Sequence, residues 1–219
     1  MKVYISTDIE GVAGWVFYAC SDQGMANLRH LERMNALLTG EVNAAVSACL
    51  ASGADEIYVC DSHGPAYNIL FEELDPACRI IHGRGGHGPN WLPLLDESFD
   101  AAIAIGMHAM AGTPGAVCPH SMWHLTDGEE NEIKLSECSM FAALCGTLGV
   151  PLVAISGDDK IAREVSKFAK TLQPAIQSVT PLIESKNTIT ANALQPTDKF
   201  TFIRDDNSDI LGYARNRER

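Results

Sequence analysis

Four short apolar runs constrain this chain more than any other feature. Val3 to Ser6, Asp55 to Cys60 (DEIYVC), Ala101 to Ile105 (AAIAI) and Val150 to Ile155 (VPLVAI) are β-prone, too short for helices, and stop at polar residues. Helical patterns lie between them. Leu28, Leu31, Met34 and Leu38 recur at three- and four-residue spacing, and Thr39 then reads as the N-cap of a second helix ending near Gly53. Ser136 to Leu148 (SECSMFAALCGTL) predicts a helix capped by Ser136 and stopped at Gly149, and Asp158 to Lys170 predicts the next. Strands alternating with helices predict an α/β domain with a mostly parallel sheet and flanking helices.

Two Gly/Pro-rich stretches, Gly83 to Pro93 (GRGGHGPNWLP) and Gly112 to Pro119 (GTPGAVCP), read as loops rather than linkers, because strand signals flank each without a shift in composition. From about Thr171 the pattern weakens. The polar, charged end (DDNSDILGYARNRER) predicts a frayed or partly ordered tail.

Lys and Arg number 16 against 28 Asp and Glu, a formal net charge of −12 that repels a phosphate backbone. Nucleic acid is therefore an unsuitable partner. No segment approaches the ~20 apolar residues of a membrane span. The first residues, MKVYISTDIEG, lack the apolar stretch and cleavage site of a signal peptide, so the expected location is cytoplasmic. Seven cysteines without CxxC spacing predict buried free thiols, with Cys118 and Cys138 open as nucleophiles.

The strand ends carry the chemistry. After the first come Asp8, Glu10 and Gly11; in extended backbone the two carboxylates point to one side, and Gly11 lets the chain turn sharply away. After the second comes Asp61-Ser62-His63-Gly64, and after the third Gly106-Met107-His108. Ligands bind at the carboxyl edge of open α/β sheets, so Asp8, Glu10, His63 and His108 should converge on one crevice there. Glu137, at the start of the SECSMF helix, adds a third carboxylate, although an acid in a first turn also complements the helix dipole. His120 ends the Gly/Pro-rich loop and is open to three roles: further ligand, general base or substrate-orienting donor.

Three ionised carboxylates in a partly dry crevice repel one another unless cations neutralise them. Mixed imidazole and carboxylate donors suit zinc, with manganese or iron as substitutes and magnesium less so. A pair of metals ~3.5–4 Å apart sharing a carboxylate and a water is a hydrolase arrangement.

Six motifs, in order, carry a family resemblance: STDIEG at Ser6 to Gly11, CDSHG at Cys60 to Gly64, GMHA at Gly106 to Ala109, the TPG and PHS between Thr113 and Ser121, Ser136-Glu137, and SGDD at Ser156 to Asp159. Together they resemble the DppA-type zinc-dependent D-aminopeptidases. The resemblance implies an aminopeptidase that uses two zinc ions to hydrolyse short peptides, releasing N-terminal D-amino acids such as D-Ala. It implies Asp8 as the bridging ligand, Glu10, His63, His108 and Glu137 as the other metal ligands, and His120 as the catalytic residue. It also implies a homo-oligomer, typically a decameric ring around an inner channel. Residues 1–165 would be the catalytic metal-binding domain, and 166–219 a shortened, partly irregular C-terminal region where family members continue into further strands and a helix. Other two-metal amide or ester hydrolysis, and a non-catalytic metal-binding assembly role, are the alternatives.

Overall fold

The computed structural model describes residues 1–15, 24–83, 91–121, 136–166, 200–204 and 210–215. Five strands form one sheet in the order β3-β2-β1-β4-β5: β1 (Lys2–Thr7), β2 (Glu56–Asp61), β3 (Arg79–Ile81), β4 (Ala101–Met107) and β5 (Leu152–Gly157). Every pairing in it is parallel. The four expected strands are all present within two residues of their predicted bounds. β3 is new: three residues on an edge leave almost no periodic signal.

Strand alternation divides the core in two. Val3 and Ile5 of β1, Ile57 and Val59 of β2, and Ile103 and Ile105 of β4 pack on one face against α1 (Gly24–Ala51), through Met34, Leu38, Val42 and Val46. Tyr4, Cys60, Ala102 and Ala104 face the other way, toward Cys138, Phe141 and Cys145 of α2 (Glu137–Thr147). Both faces are thus covered, as a parallel sheet requires. Leu28, expected on the buried stripe of α1, is instead exposed.

Thr39 does not start a second helix. It sits inside the continuous α1, where its Oγ1 donates to the Asn35 carbonyl at 2.7 Å and accepts from the Leu70 backbone N–H at 2.9 Å. The hydroxyl thus satisfies itself within the helix while pinning the loop beyond β2, which is why a cap-like residue is tolerated there. Ser136 does cap α2, accepting from the Ser139 N–H at 3.1 Å, and Gly149 follows at φ 71°. Asp158 Oδ1 accepts from the N–H groups of Lys160 and Ile161, capping a helix over residues 159–166; its expected remainder, 167–170, lies outside the described residues. So do 84–90 of the first Gly/Pro-rich loop. Within the region expected to be frayed or partly ordered, β6 (Phe200–Arg204) and β7 (Ile210–Arg215) pair antiparallel.

Candidate metal centre

The order β3-β2-β1-β4-β5 reverses direction between β1 and β4, and a crevice opens at the carboxyl ends of those strands. Three glycines let the strand ends approach this closely. A Cβ on Gly11 would lie 1.7 Å from the Met107 carbonyl oxygen, one on Gly106 2.2 Å from that of Asp8, and one on Gly157 2.1 Å from that of Met107. Gly11 also donates its N–H to the Gly106 carbonyl at 2.8 Å. The chain turns here as expected, Val12 N–H donating to the Ile9 carbonyl at 3.1 Å, and Gly11 also permits the close backbone contact between β1 and β4. Hydroxyls join β1 to β2: Thr7 Oγ1 donates to the Cys60 carbonyl at 3.1 Å, and Ser62 Oγ to that of Thr7 at 2.5 Å.

Around this junction the predicted residues gather. Glu10 Oε1 lies 2.8 Å from His63 Nε2. His108 Nε2 faces Asp8 Oδ2 at 3.4 Å and Glu137 Oε1 at 3.7 Å, and His120 Nε2 lies 3.8 Å from the same Glu137 oxygen. The His108 and His120 rings stack, centroids 3.9 Å apart and 10° from parallel. One ligand atom each from Asp8, Glu10 and His108 lie within 4.8 Å of one another, as do those of His108, His120 and Glu137. All six residues named from sequence therefore meet, with His63 joined through Glu10. Asp8, Glu10, His108 and Glu137 are buried; His63 and His120 are partly exposed. The crevice, of about 200 Å³, is lined by Asp8, Ser62, His63, Trp91, His120 and Glu137 among others.

Left to themselves, these acids and bases unbalance one another. Burial, then the Glu10 hydrogen bond and charge, push the Asp8 carboxyl well above its usual range. Burial would raise Glu10 too, but its hydrogen bonds to His63 and Asp8 prevail and hold it below. Burial opposes a charge on His63 and on His108, yet the facing carboxylates raise both to about 9.

Buried polar atoms almost always have a hydrogen-bond partner. Among the described residues, Glu10 Oε2, His108 Nε2 and Glu137 Oε1 have none, and all three point into this cluster. His108 Nδ1 is 2.9 Å from the Ala109 carbonyl, so it carries a proton, and Nε2 is the nitrogen that would give up its own to ligate an ion. Carboxylates and imidazoles buried together, each imidazole raised by the carboxylates it faces, form a donor set that divalent zinc fits. Cys118 and Cys138 are free thiols, and burial pushes each up to about 12, which disfavours a nucleophilic thiolate. Trp91, Asp61 and Asn68, the last two supporting His63 from behind, were not singled out in the sequence. Asp61 had a signal, its place beside His63; the other two had none.

A family described as D-aminopeptidase matches residues 1–204. A D-aminopeptidase of Bacillus subtilis (strain 168) is 30% identical over 175 residues, covering 80% of this chain and 62% of that protein. A solved structure, the Zn-dependent D-aminopeptidase DppA from Bacillus subtilis, described as a self-compartmentalizing protease, superposes with a TM-score of 0.66 at 32% identity. That match covers 76% of this chain and 60% of the other, so the chain spans only part of the length of these relatives.

Proposed function

The chain belongs to the D-aminopeptidase family, and on that premise we propose that it is a two-zinc aminopeptidase that hydrolyses short peptides and releases N-terminal D-amino acids such as D-Ala. One observation carries the reading: three buried polar atoms, on Glu10, His108 and Glu137, converge without hydrogen-bond partners at the carboxyl edge of the sheet. Asp8, Glu10, His63, His108 and Glu137 would hold the ions, with Asp8 between them. Zinc bound there supplies Lewis acidity, which activates water and polarises a peptide carbonyl.

The chain's own residues supply the rest. His120 Nδ1 donates to the Cys118 carbonyl at 3.1 Å, so Nε2 is the basic nitrogen on the crevice side, beside Glu137. From there it takes a proton from the attacking water and passes it to the leaving amine. The buried carboxylates are the groups that attract the substrate's free α-amine, which confines cleavage to the N-terminal residue. Trp91 and Met107 wall the crevice and limit bulk water. The described free thiols suit a reducing compartment such as the cytoplasm. Assembly into a homo-oligomeric ring belongs to the same proposal, with sedimentation or light scattering as its check.

The deciding experiment is p-nitroaniline release from D-alanyl and L-alanyl p-nitroanilide by zinc-loaded protein, beside a chelated sample. Chelator-sensitive cleavage of the D compound alone is expected. Folded, zinc-loaded protein that cleaves neither would overturn the proposal.

A further inference from the structure

Resting on the metal reading above, we propose that Asp61 and Asn68 are positioning residues for His63: the carboxylate fixes the amide, and the amide fixes the imidazole tautomer that presents Nε2 to the metals. Asp61 ends β2 and is buried to 1% exposure. A carboxylate so deep needs its lone pairs satisfied. It accepts from the Asn68 backbone N–H at 2.6 Å, from Asn68 Nδ2 at 2.8 Å and from the Ile69 N–H at 2.9 Å, with His82 Nε2 a further 3.4 Å contact. Its hydrogen bonds thus tie one short stretch, Asn68-Ile69, back to the strand end that launches His63.

Asn68 is itself buried, and its orientation is forced. Nδ2 donates to Asp61 Oδ1 and to the His63 carbonyl, both at 2.8 Å, so both amide protons are used. A flipped amide would set its oxygen against two acceptors. Oδ1 must therefore face His63 Nδ1, 3.4 Å away, and an oxygen that only accepts requires the proton on Nδ1. Nε2, which here donates to Glu10 Oε1 at 2.8 Å, is then the nitrogen that would give up its proton to ligate an ion. Neither Asp61 nor Asn68 lines the crevice, so both act through His63. His108 differs: its Nδ1 partner is the Ala109 backbone carbonyl, which no side-chain substitution removes. His63 is the ligand whose orientation can be dissected by mutation.

Removing a partner of this kind commonly costs about 10–100-fold in metal affinity. The test is zinc competition between a chromophoric chelator and the full chain, for wild type, Asn68→Ala and Asp61→Asn, with thermal unfolding of the chelated proteins alongside. Both variants should bind zinc about 10–100-fold more weakly, and saturating zinc should restore turnover. Wild-type affinity in folded variants would overturn the inference. It would also fall if the variants unfolded more easily when chelated but kept their affinity, as a purely structural role predicts. Should neither variant fold, long-range proton–nitrogen NMR of zinc-loaded wild type decides: His63 protonated at Nδ1 supports the inference, and protonation at Nε2 overturns it. Wild type that takes up no zinc would overturn the metal reading, and this inference with it.

Discussion

His108 and His120 lie ring against ring, yet their settings separate their roles. The His108 side chain is fully buried at a strand end, whereas that of His120 is 35% exposed on a loop. His108→Ala should therefore lose bound zinc, measured as metal content after gel filtration. His120→Ala should keep its zinc and lose turnover by about 10²–10⁴-fold, the usual size of a proton-transfer contribution. Full activity in His120→Ala would remove it from the mechanism. The cysteines give a second check. A thiol raised to about 12 has on the order of one thiolate in ten thousand at pH 8. Iodoacetamide at pH 8 should leave activity intact, with modification accelerating only as pH rises toward 12 or the fold opens; rapid inactivation would reinstate Cys118 or Cys138. Of the six candidate site residues, Asp8, Glu10, His63 and His108 were readable in sequence as neighbours because each lies within three residues of a strand end, and strand ends converge by topology. Asn68 was not, because its partners sit five and seven positions away across a turn that only the folded chain closes. Trp91 reaches the crevice from a loop with no pattern of its own.

The elements are held together where β1, β4 and β5 touch without side chains between them. A methyl on Gly11 would meet the Met107 carbonyl oxygen at 1.7 Å, and that neighbour is backbone, which cannot swing aside. Gly11→Ala should cost roughly 3–5 kcal/mol or more, read as a lower urea midpoint together with reduced zinc content. A variant with unchanged midpoint and zinc would show that β1 and β4 need not approach this closely. Thr39→Val should cost less, about 1–3 kcal/mol, because it leaves the Leu70 N–H without its acceptor. β1, β2 and β4 were readable as apolar runs because both faces of the sheet are covered there, whereas the edge strand β5 keeps an apolar run although Val153 and Ala154 are exposed. Thr39 misled for a physical reason: a threonine that bonds back one turn inside a helix looks, in sequence, like one that caps the next. The Phe200–Arg204 and Ile210–Arg215 hairpin was missed because its two short strands lie among charged residues.

The proposed metal ligands come from both sides of the switch in strand order. Asp8, Glu10 and His63 follow β1 and β2, whereas His108 follows β4 and Glu137 opens α2, which feeds β5. Ions held by both sets would clamp the two halves of the sheet, and the free energy of that clamp belongs to the folded state alone. Zinc should therefore raise the melting temperature of chelated protein by an amount that grows with the logarithm of free zinc, equivalent to about 2.7 kcal/mol at a hundredfold excess over Kd. Differential scanning fluorimetry across a zinc-buffer series measures it directly. Most of that increment should vanish in His108→Ala, whose loss leaves one half of the sheet without its central ligand. His120→Ala should retain most of it, since the loop histidine is assigned to proton transfer. A melting temperature indifferent to zinc in wild type would mean that the converging carboxylates and imidazoles do not hold the ion in the native state. The clamp and the two-zinc mechanism would then fail together, while the fold and its family would stand.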